Sequence, residues 1–427
     1  MKGAVRFHTG YKDKPNTRIL KKQLLGLLAA ALLLPAGAMA QKWEGLARTP
    51  QMGWNSWNKF ACNISEDLIR QMADAMIDEG LLEAGYVYLN MDDCWHGQRD
   101  ADGFIQADPQ KFPSGIKALS DYVHSKGLKF GIYSDAGRKT CGGRPGSYGH
   151  EYQDAIQYAR WGVDYLKYDW CETDNINPKG AYPLMSDALR AAGRPIFLSM
   201  CEWGSSAPWT WASEVGHSWR STGDICAVFD KGKTRSWEHS VLSILDQNAK
   251  LRKYAGPDHW NDPDMLEVGN GMSVAEDRAH FSLWCMMAAP LMLGNDITNM
   301  TQETRDIILN KDAIAVDQDT LGVQGLRYKQ EDGLEFWFKP LAGGRWAFCL
   351  LNRTEETREY LLDWQAFNFT DEEVSGLSTR FDTQEYTIKD IWNKPARKNA
   401  KPATTRKAVR LTIPSHDVVM YILTPKA

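Results

Sequence analysis

Strand-like runs alternate with helix-like segments along most of the chain, and this alternation limits the possible folds more than any other feature. The clearest helix starts at Ser65, a preferred N-cap, and stops at Gly80. Alternating units of this kind predict an α/β fold, a (βα)8 TIM barrel. The eight runs predicted to be its strands are Gln51–Trp54, Tyr86–Asn90, Lys129–Ser134, Tyr165–Asp169, Ile196–Met200, Ser218–Ser221, Asp258–Trp260 and Pro290–Leu293.

The sixth and seventh of these strands are weak by propensity, so the count of eight depends partly on regular spacing. An open doubly wound sheet is the alternative, but the sequence has no Gly-rich phosphate loop to support it. The other predicted helices are Ile116–Ser125, Gln153–Trp161, Pro183–Ala192, Ser236–Leu251 and Ala275–Met287.

The pattern changes after about Gly322, where helical segments become rare. Gly343-Gly344 predicts a hairpin turn. We therefore assign residues 41–322 to the catalytic barrel and 323–427 to a C-terminal antiparallel β-sandwich of Greek-key type. The basic run Asn393–Lys407 is interpreted as a solvated loop. The strands predicted in this region are Glu335–Pro340, Arg345–Asn352, Glu359–Leu362, Tyr386–Trp392, Ala408–Ile413 and Val418–Leu423.

The N-terminus has the pattern of an export signal. Lys21 and Lys22 precede the apolar run Leu24–Leu34, and small residues at Ala38 and Ala40 suit a cleavage site. Residues 1–40 are therefore predicted to be a cleavable signal peptide, and the mature protein to be periplasmic or secreted. Without the seven Lys/Arg and one Asp of this segment, the net charge changes from −4 to about −10, which disfavours a nucleic-acid partner. The apolar run Leu24–Leu34 is too short to span a bilayer, and the sequence has no other long apolar segment, so no membrane span is expected.

The run from Val163 to Cys171 is predicted to be a buried strand that ends on a carboxylate. Lys167 and Asp169 are two residues apart and therefore share one face of that strand. A carboxylate beside a cation stays ionised, as a nucleophile or an electrostatic stabiliser must. From this run alone, a structural Asp that caps the following helix is an equal alternative.

The same pattern recurs at the other strand ends, which form the active site of a barrel of this kind. Carboxylates that converge on one pocket bind either a divalent metal or a polyhydroxylated substrate. Few His residues and the cations Lys167 and Arg220 disfavour a metal, so no metal or cofactor is expected. Carboxylates and Trp suit a sugar, and 17 Trp residues are available. The strand ends carry Asp92-Asp93-Cys94-Trp95, Tyr133-Ser-Asp135, Lys167-Tyr-Asp169, Cys201-Glu202-Trp203, Trp219-Arg220 with Asp224, and Trp260-Asn-Asp262-Pro-Asp264-Met265.

Together with Trp57, this ordered series resembles glycoside hydrolase family 27, the α-galactosidase or melibiase family of clan D. The resemblance covers about Arg48 to Gly325, and the C-terminal β domain also fits. It implies an exo-acting, retaining α-galactosidase that hydrolyses terminal non-reducing α-D-galactosyl residues. The two catalytic carboxyls of a retaining enzyme are expected to lie roughly 5–5.5 Å apart.

By this resemblance Asp169 is the nucleophile and Asp224 the general acid/base. Lys167 is expected to lower the pKa of Asp169, and Asp224 is expected to keep its proton until it protonates the leaving oxygen. From the residues alone, a surface-loop Asp is the alternative for Asp224. The resemblance also implies a substrate-binding set made up of Trp57, Asp92, Asp93, Tyr133, Cys141, Lys167, Glu202, Trp203, Arg220, Asp264 and Met265.

The chain has eight Cys, and the family pattern implies the disulfides Cys62–Cys94 and Cys141–Cys171. Each would hold a loop at the pocket rim. The position near Gly216 lacks the Cys that pairs with the equivalent of Cys201 in some members. The remaining thiols are therefore expected to be free and buried: Cys201, Cys226, Cys285 and Cys349.

Two other activities of the same family are alternatives. An α-N-acetylgalactosaminidase needs space at the substrate's C2, and Glu202 with Trp203 favours a free 2-hydroxyl instead. A β-L-arabinopyranosidase has a longer acid at the position of Asp92, where the short Asp leaves room for C6 of galactose. A sugar-binding module without catalysis is the non-enzymatic alternative. The expected partners are α-galactoside-containing glycans, and the sequence does not indicate which glycan is natural or how many subunits assemble.

Overall fold

The structure, a computed structural model, describes residues 1, 3, 4, 42–230, 235–393 and 403–426. The predicted signal peptide at Leu24–Leu34 and Ala38–Ala40 and most of the basic run Asn393–Lys407 lie outside these residues. Among the described helices, none is long and apolar enough to span a bilayer.

Parallel strands form the curled sheet of a TIM-like barrel, which confirms the predicted fold class. The hydrogen-bonded order is β7-β6-β5-β4-β3-β2-β1-β8. Leu266, just after β7, continues the hydrogen bonding to β8, because its N–H donates to Met292 O at 2.8 Å. The strands are β1 Met52–Asn55, β2 Tyr88–Met91, β3 Lys129–Asp135, β4 Tyr165–Asp169, β5 Phe197–Met200, β6 Ser218–Arg220, β7 Trp260–Asp262 and β8 Leu291–Leu293.

Helices cover the outside of this sheet, and side-chain caps define several of their N-termini. The Ser65 side chain accepts the Leu68 N–H at the start of α2, as the sequence predicts. The helices are α1 Trp57–Phe60, α2 Glu66–Asp78, α3 Leu81–Ala84, α4 Gly115–Ser125, α5 Glu151–Trp161, α6 Pro178–Ala191, α7 Val241–Asn248, α8 Val274–Met287, α9 Gln302–Ile308 and α10 Lys311–Asp317.

Two predicted helix starts are wrong, each because another residue provides the N-cap. Helix α6 begins at Pro178, since the Asn177 side chain accepts the Lys179 N–H. Helix α7 begins at Val241 and not at Ser236. The preceding segment Glu238–His239 pairs with Asp224–Ile225 as short parallel strands. The Ser240 side chain then caps α7 by accepting the Ser243 N–H.

Aromatic side chains fill the barrel interior beneath the strand ends. The rings of Tyr165 and Phe197 stack with centroids 4.8 Å apart, and Tyr88 lies 5.2 Å from Tyr165. Side chains on one face of a strand recur every second residue, so Tyr165, Lys167 and Asp169 follow one another on the inner face of β4. This packed aromatic layer forms the floor of the pocket, and the polar residues at the strand ends lie directly above it.

The C-terminal region is antiparallel and contains a six-stranded sheet in the order β9-β10-β11-β16-β13-β14, with a separate β12–β15 pair. Residues 342–344 connect β10 and β11, as predicted. Strand β9 was not predicted, because its polar, half-exposed residues lack the apolar alternation of a core strand. The strands are β9 Leu326–Glu331, β10 Leu334–Leu341, β11 Arg345–Asn352, β12 Arg358–Leu362, β13 Tyr386–Asp390, β14 Ala403–Thr404, β15 Val409–Ile413 and β16 Val418–Pro425.

Candidate active site

A pocket of about 1110 Å³ opens at the C-terminal ends of the barrel strands. Parallel strands bring their carboxyl ends to one edge of the sheet, so residues distant in sequence meet here. The predicted site residues that line this pocket are Trp57, Asp92, Asp93, Tyr133, Cys141, Lys167, Asp169, Trp203, Arg220, Asp224, Asp264 and Met265.

Asp169 lies at the end of β4 and has only 5% of its surface exposed. The Trp170 N–H donates to its Oδ1 at 2.9 Å. Burial raises its pKa to about 6. Lys167 lowers this pKa and the charge of Asp224 raises it, both by less than burial does. Lys167 acts in the expected direction, but the expectation of a net lowered pKa for Asp169 is wrong, because removal of the carboxylate from water has the larger effect.

The Lys167 ammonium forms its ion pair with Asp92, at 3.0 Å from Oδ2. The same oxygen accepts the Asn55 side-chain amide at 2.7 Å. Asp92 and Asp93 are both almost completely buried, and the Gly142 N–H donates to Asp93 Oδ2 at 2.7 Å. Backbone and side-chain donors thus hold the two carboxylates in fixed orientations before any substrate is present.

Arg220 connects the carboxylates on the opposite side of the pocket. Its Nη2 lies 2.8 Å from Asp264 Oδ2 and 3.1 Å from Asp224 Oδ1. Asp264 Oδ2 also accepts the Ile225 N–H at 2.8 Å. The Asp224 side chain is 44% exposed, in contrast to the 5% of Arg220. Asp224 is therefore held by Arg220 and exposed to the open part of the pocket.

Both predicted disulfides, Cys62–Cys94 and Cys141–Cys171, are present, and the thiols of Cys201, Cys226, Cys285 and Cys349 are free. Cys226 is half-buried, whereas the other three thiols are buried as expected. The Tyr133 hydroxyl donates to Cys141 Sγ at 3.4 Å.

Among the predicted site residues, Glu202 does not belong to the pocket wall. It is completely buried, and its Oε2 accepts the Ser205 hydroxyl at 2.5 Å and the Ser206 N–H at 2.7 Å. The carboxylate thus holds the loop that carries Trp203, whose side chain does line the pocket. The inference of a free 2-hydroxyl therefore depends on Trp203.

Asp135 is an acidic neighbour of Asp169 that the predicted site omits. The two residues are in register on adjacent strands. Gly137 N and Cys171 N donate to the two Asp135 oxygens at 2.6 and 2.9 Å. Burial, with the charge of Asp169, raises the Asp135 pKa to about 8. Asp135 follows Tyr133 by two residues on the same strand, and this spacing could have indicated that it lies close to the site.

Glu267 is a second omitted carboxylate, on the pocket wall. The side-chain amides of Asn58 and Asn270 donate to it, and burial raises its pKa to about 7. It follows Met265 by two residues, and that spacing could have indicated it. The other polar, charged or aromatic wall residues that the sequence did not indicate are Asn58, Lys59, Arg235, Trp237, Glu238, His239, Gln247 and Asn270.

One group of side chains in the described ranges has the spacing of metal ligands: Asp135, Cys141, Asp169 and Cys171, whose donor atoms lie within 4.8 Å of one another. Both sulfurs belong to the Cys141–Cys171 disulfide and so cannot act as thiolate ligands. Two carboxylates remain, which is fewer than the ligand sets of protein metal sites. The expectation that the site needs no metal stays a prediction.

Known proteins resemble the chain along nearly its whole length. A family model described as α-galactosidase A matches residues 49–319, and one described as the α-galactosidase C-terminal β-sandwich domain matches 331–423. α-Galactosidase A of Cellvibrio japonicus is 54% identical over 409 residues, which cover 95% of this chain and 100% of that protein.

Two solved structures have the same architecture. α-Galactosidase I from Mortierella vinacea has a TM-score of 0.80 at 36% identity, with coverage of 89% of this chain and 98% of that one. The α-galactosidase of Saccharomyces cerevisiae, solved with raffinose, has a TM-score of 0.80 at 33% identity, with coverage of 91% and 99%.

Proposed function

The chain belongs to glycoside hydrolase family 27, the α-galactosidase family, and we propose that it releases terminal, non-reducing α-D-galactosyl residues from oligosaccharides or polysaccharides with retention of configuration. One observation carries this function. Asp169 and Asp224 line the same pocket, one buried and one open to solvent, with fixed carboxylates and cations around them. Two carboxyls in different environments are what a retaining glycosidase requires.

In the first step, a carboxylate oxygen of Asp169 attacks the anomeric carbon of the galactosyl unit. The bond from that carbon to the glycosidic oxygen breaks, and the oxygen takes the proton of Asp224 as the leaving group departs. In the second step, Asp224 accepts a proton from water while the water oxygen attacks the same carbon. Galactose leaves with its α configuration, and the Asp169 carboxylate is regenerated.

The galactosyl unit is held by the polar groups around these two carboxyls. Asp92 and Asp93 accept hydrogen bonds from the O4 and O6 hydroxyls, and an axial O4 favours galactose over glucose. Lys167 contacts O3 and O4, while Arg220 contacts O2. Because Asp92 is the short acid, the space for C6 stays open, and galactose is preferred to the pentose β-L-arabinopyranose. The pocket wall is completed by Trp57, Tyr133, Cys141, Trp203, Asp264 and Met265.

We further propose that the enzyme is exported and acts in the periplasm or outside the cell. The Cys62–Cys94 and Cys141–Cys171 disulfides suit an oxidising compartment. The predicted signal segment supports the same location. The partners are α-galactoside-containing glycans, and neither a nucleic acid nor a membrane is required.

Hydrolysis of 4-nitrophenyl α-D-galactopyranoside by the wild type and by Asp169→Asn tests this function. The wild type should turn over the galactoside faster than 4-nitrophenyl β-L-arabinopyranoside. Asp169→Asn should lose about 10⁴-fold or more in kcat, because an amide cannot attack the anomeric carbon. Asp121→Asn makes the same chemical change at an exposed carboxylate on α4 and should leave kcat unchanged. Full activity in Asp169→Asn would refute the mechanism, and a preference for the pentoside would refute the substrate.

A further inference from the structure

The pocket extends well beyond the residues assigned to the galactosyl unit. Its volume of about 1110 Å³ exceeds the range of about 300–1,000 Å³ that is usual for sites of small ligands. One hexosyl ring fills only part of this space. The part of the wall without an assigned role includes Arg235, Trp237, Glu238 and His239.

Trp237 is the largest apolar side chain in this part of the wall, and 58% of its surface is exposed. By contrast, Trp219 and Trp260 on the barrel strands are completely buried. Covering an exposed indole with the C–H face of a sugar removes apolar surface from water. Trp237 therefore offers a flat surface to a ligand that enters the pocket.

Two charged side chains, Arg235 and Glu238, flank the Trp237 ring. The Arg235 guanidinium carbon lies 5.7 Å from the Trp237 ring centroid. Glu238 Oε2 accepts the backbone N–H of Arg235 at 3.0 Å, and Glu238 Oε1 lies 3.6 Å from Arg235 Nη1. An aromatic surface flanked by one cation and one carboxylate matches a neutral sugar, which has an apolar ring face and a rim of hydroxyls.

The segment that carries this ring is attached directly to the backbone of the proposed acid/base. Glu238 pairs with Asp224 and His239 pairs with Ile225 in the short parallel ladder. A Cβ placed on Gly223 would lie 3.0 Å from Trp237 O and 2.9 Å from the His239 ring. Trp237 thus immediately precedes the residue that is paired with Asp224.

The position of Asp224 determines what this surface can contact. The general acid protonates the glycosidic oxygen, so the leaving group is next to Asp224 and on the side away from the galactosyl ring. Asp169 and the carboxylates Asp92 and Asp93 surround the galactosyl ring itself. A group that adjoins Asp224 but is separate from that set is in position to meet the leaving group.

We propose that Trp237, with Arg235 and Glu238, forms a binding site for a neutral sugar that is the leaving group, and that this site selects glycosyl over small leaving groups. The proposal rests on the α-galactosidase function and on the roles of Asp169 and Asp224. The leaving sugar stacks on Trp237 and exchanges hydrogen bonds with the two charged side chains.

The test compares two substrates that require the same protonation by Asp224. Raffinose has a sugar leaving group, whereas methyl α-D-galactopyranoside has a methoxy group that is too small to reach Trp237. In Trp237→Ala, the ratio of kcat/KM for raffinose to kcat/KM for the methyl galactoside should fall by about tenfold or more, because the stacked apolar area is lost. Trp237→Phe, which retains a flat ring, should recover most of this ratio.

Tyr152→Ala is the matched control, since Tyr152 is also an exposed aromatic residue, 49% accessible, but lies outside the pocket wall. Its ratio should equal that of the wild type. An unchanged ratio in Trp237→Ala would overturn the proposal, whether both rates stay constant or both fall together. A wild type that hydrolyses neither substrate would instead overturn the α-galactosidase function, so the two failures are distinguishable.

Discussion

At the scale of single residues, buried carboxyls in and next to the pocket differ in how readily they bind a proton. Burial raises the pKa of Asp169 and of Asp262 to about 6, and that of Asp135 to about 8. A carboxyl exposed to water has a pKa of about 3.9. Asp169, the proposed nucleophile, thus becomes protonated at a higher pH than an ordinary Asp.

We therefore expect the acid limb of the pH profile of kcat/KM to lie near pH 6. Below that pH, kcat/KM should fall about tenfold per pH unit, because only ionised Asp169 attacks the anomeric carbon. The measurement is kcat/KM for methyl α-D-galactopyranoside between pH 4 and 8. Recovery of activity after return to pH 7 excludes unfolding as the cause. A profile that stays flat down to about pH 4 would contradict the raised pKa of Asp169.

At the scale of elements, the barrel and the C-terminal sheet are joined through a buried lysine. Lys339 of β10 is completely buried, and its ammonium donates to Cys285 O at 3.0 Å and to Val316 O at 2.7 Å. These carbonyls belong to the last turns of α8 and α10, where backbone oxygens need a partner from beyond the helix. Cys285 O also accepts the Ala288 N–H at 3.3 Å. A cation at this end also suits the helix dipole. One lysine side chain thus donates hydrogen bonds to the C-terminal turns of two helices.

Lys339→Met should lower the free energy of unfolding by about 2–4 kcal/mol, because it removes the ammonium donor from two buried carbonyls. Urea denaturation followed by circular dichroism measures this change. Lys389→Met is the matched control, since Lys389 on β13 makes a surface ion pair with Asp312 that contributes less than about 1 kcal/mol. Equal losses in the two variants would show that Lys339 has no special role in joining the domains.

At the scale of the whole molecule, many carboxyls are buried with raised pKa values. Burial raises the pKa of Glu267, on the pocket wall, and of Asp277 and Asp317, outside the pocket, to about 7. In the unfolded chain these groups release their protons near pH 4. Between pH 4 and 7 the folded state therefore binds more protons than the unfolded state, and stability declines as the pH rises through this range.

Ion-paired carboxyls have the opposite effect on stability, because they destabilise the folded state when the pH is lowered far enough to protonate them. Arg353 and Arg327 hydrogen-bond to Asp246 and lower its pKa, and Arg252 does the same for Asp371. Their stabilisation is lost when the pH falls below about 4. We expect the Tm to be highest near pH 5 and to fall by several degrees towards pH 8.5. Calorimetry at constant ionic strength measures this, and a Tm that rises from pH 5 to 8.5 would contradict it.

Residue spacing was enough to predict much of the fold and the crowding of carboxylates at the strand ends, whereas the roles expected of the site residues came from the resemblance to glycoside hydrolase family 27. Alternation along β4 puts Lys167 and Asp169 on one face, and the Ser65 cap defines the start of α2. These features depend on neighbours within one strand or one helix, so they can be read locally. The change from alternating strands and helices to antiparallel strands near Gly322 can likewise be recognised from the residues on either side of it.

Only the closed tertiary structure decided the features that depend on burial and on contacts between distant segments. The pKa of Asp169 follows from its burial on the pocket floor, which outweighs the charge of Lys167. Glu202 turns into its own loop, away from the pocket. Trp237 adjoins Asp224 because two short segments pair across a loop. Spacing along the chain specifies neighbours within an element, whereas desolvation and pairing between elements exist only once the barrel has closed.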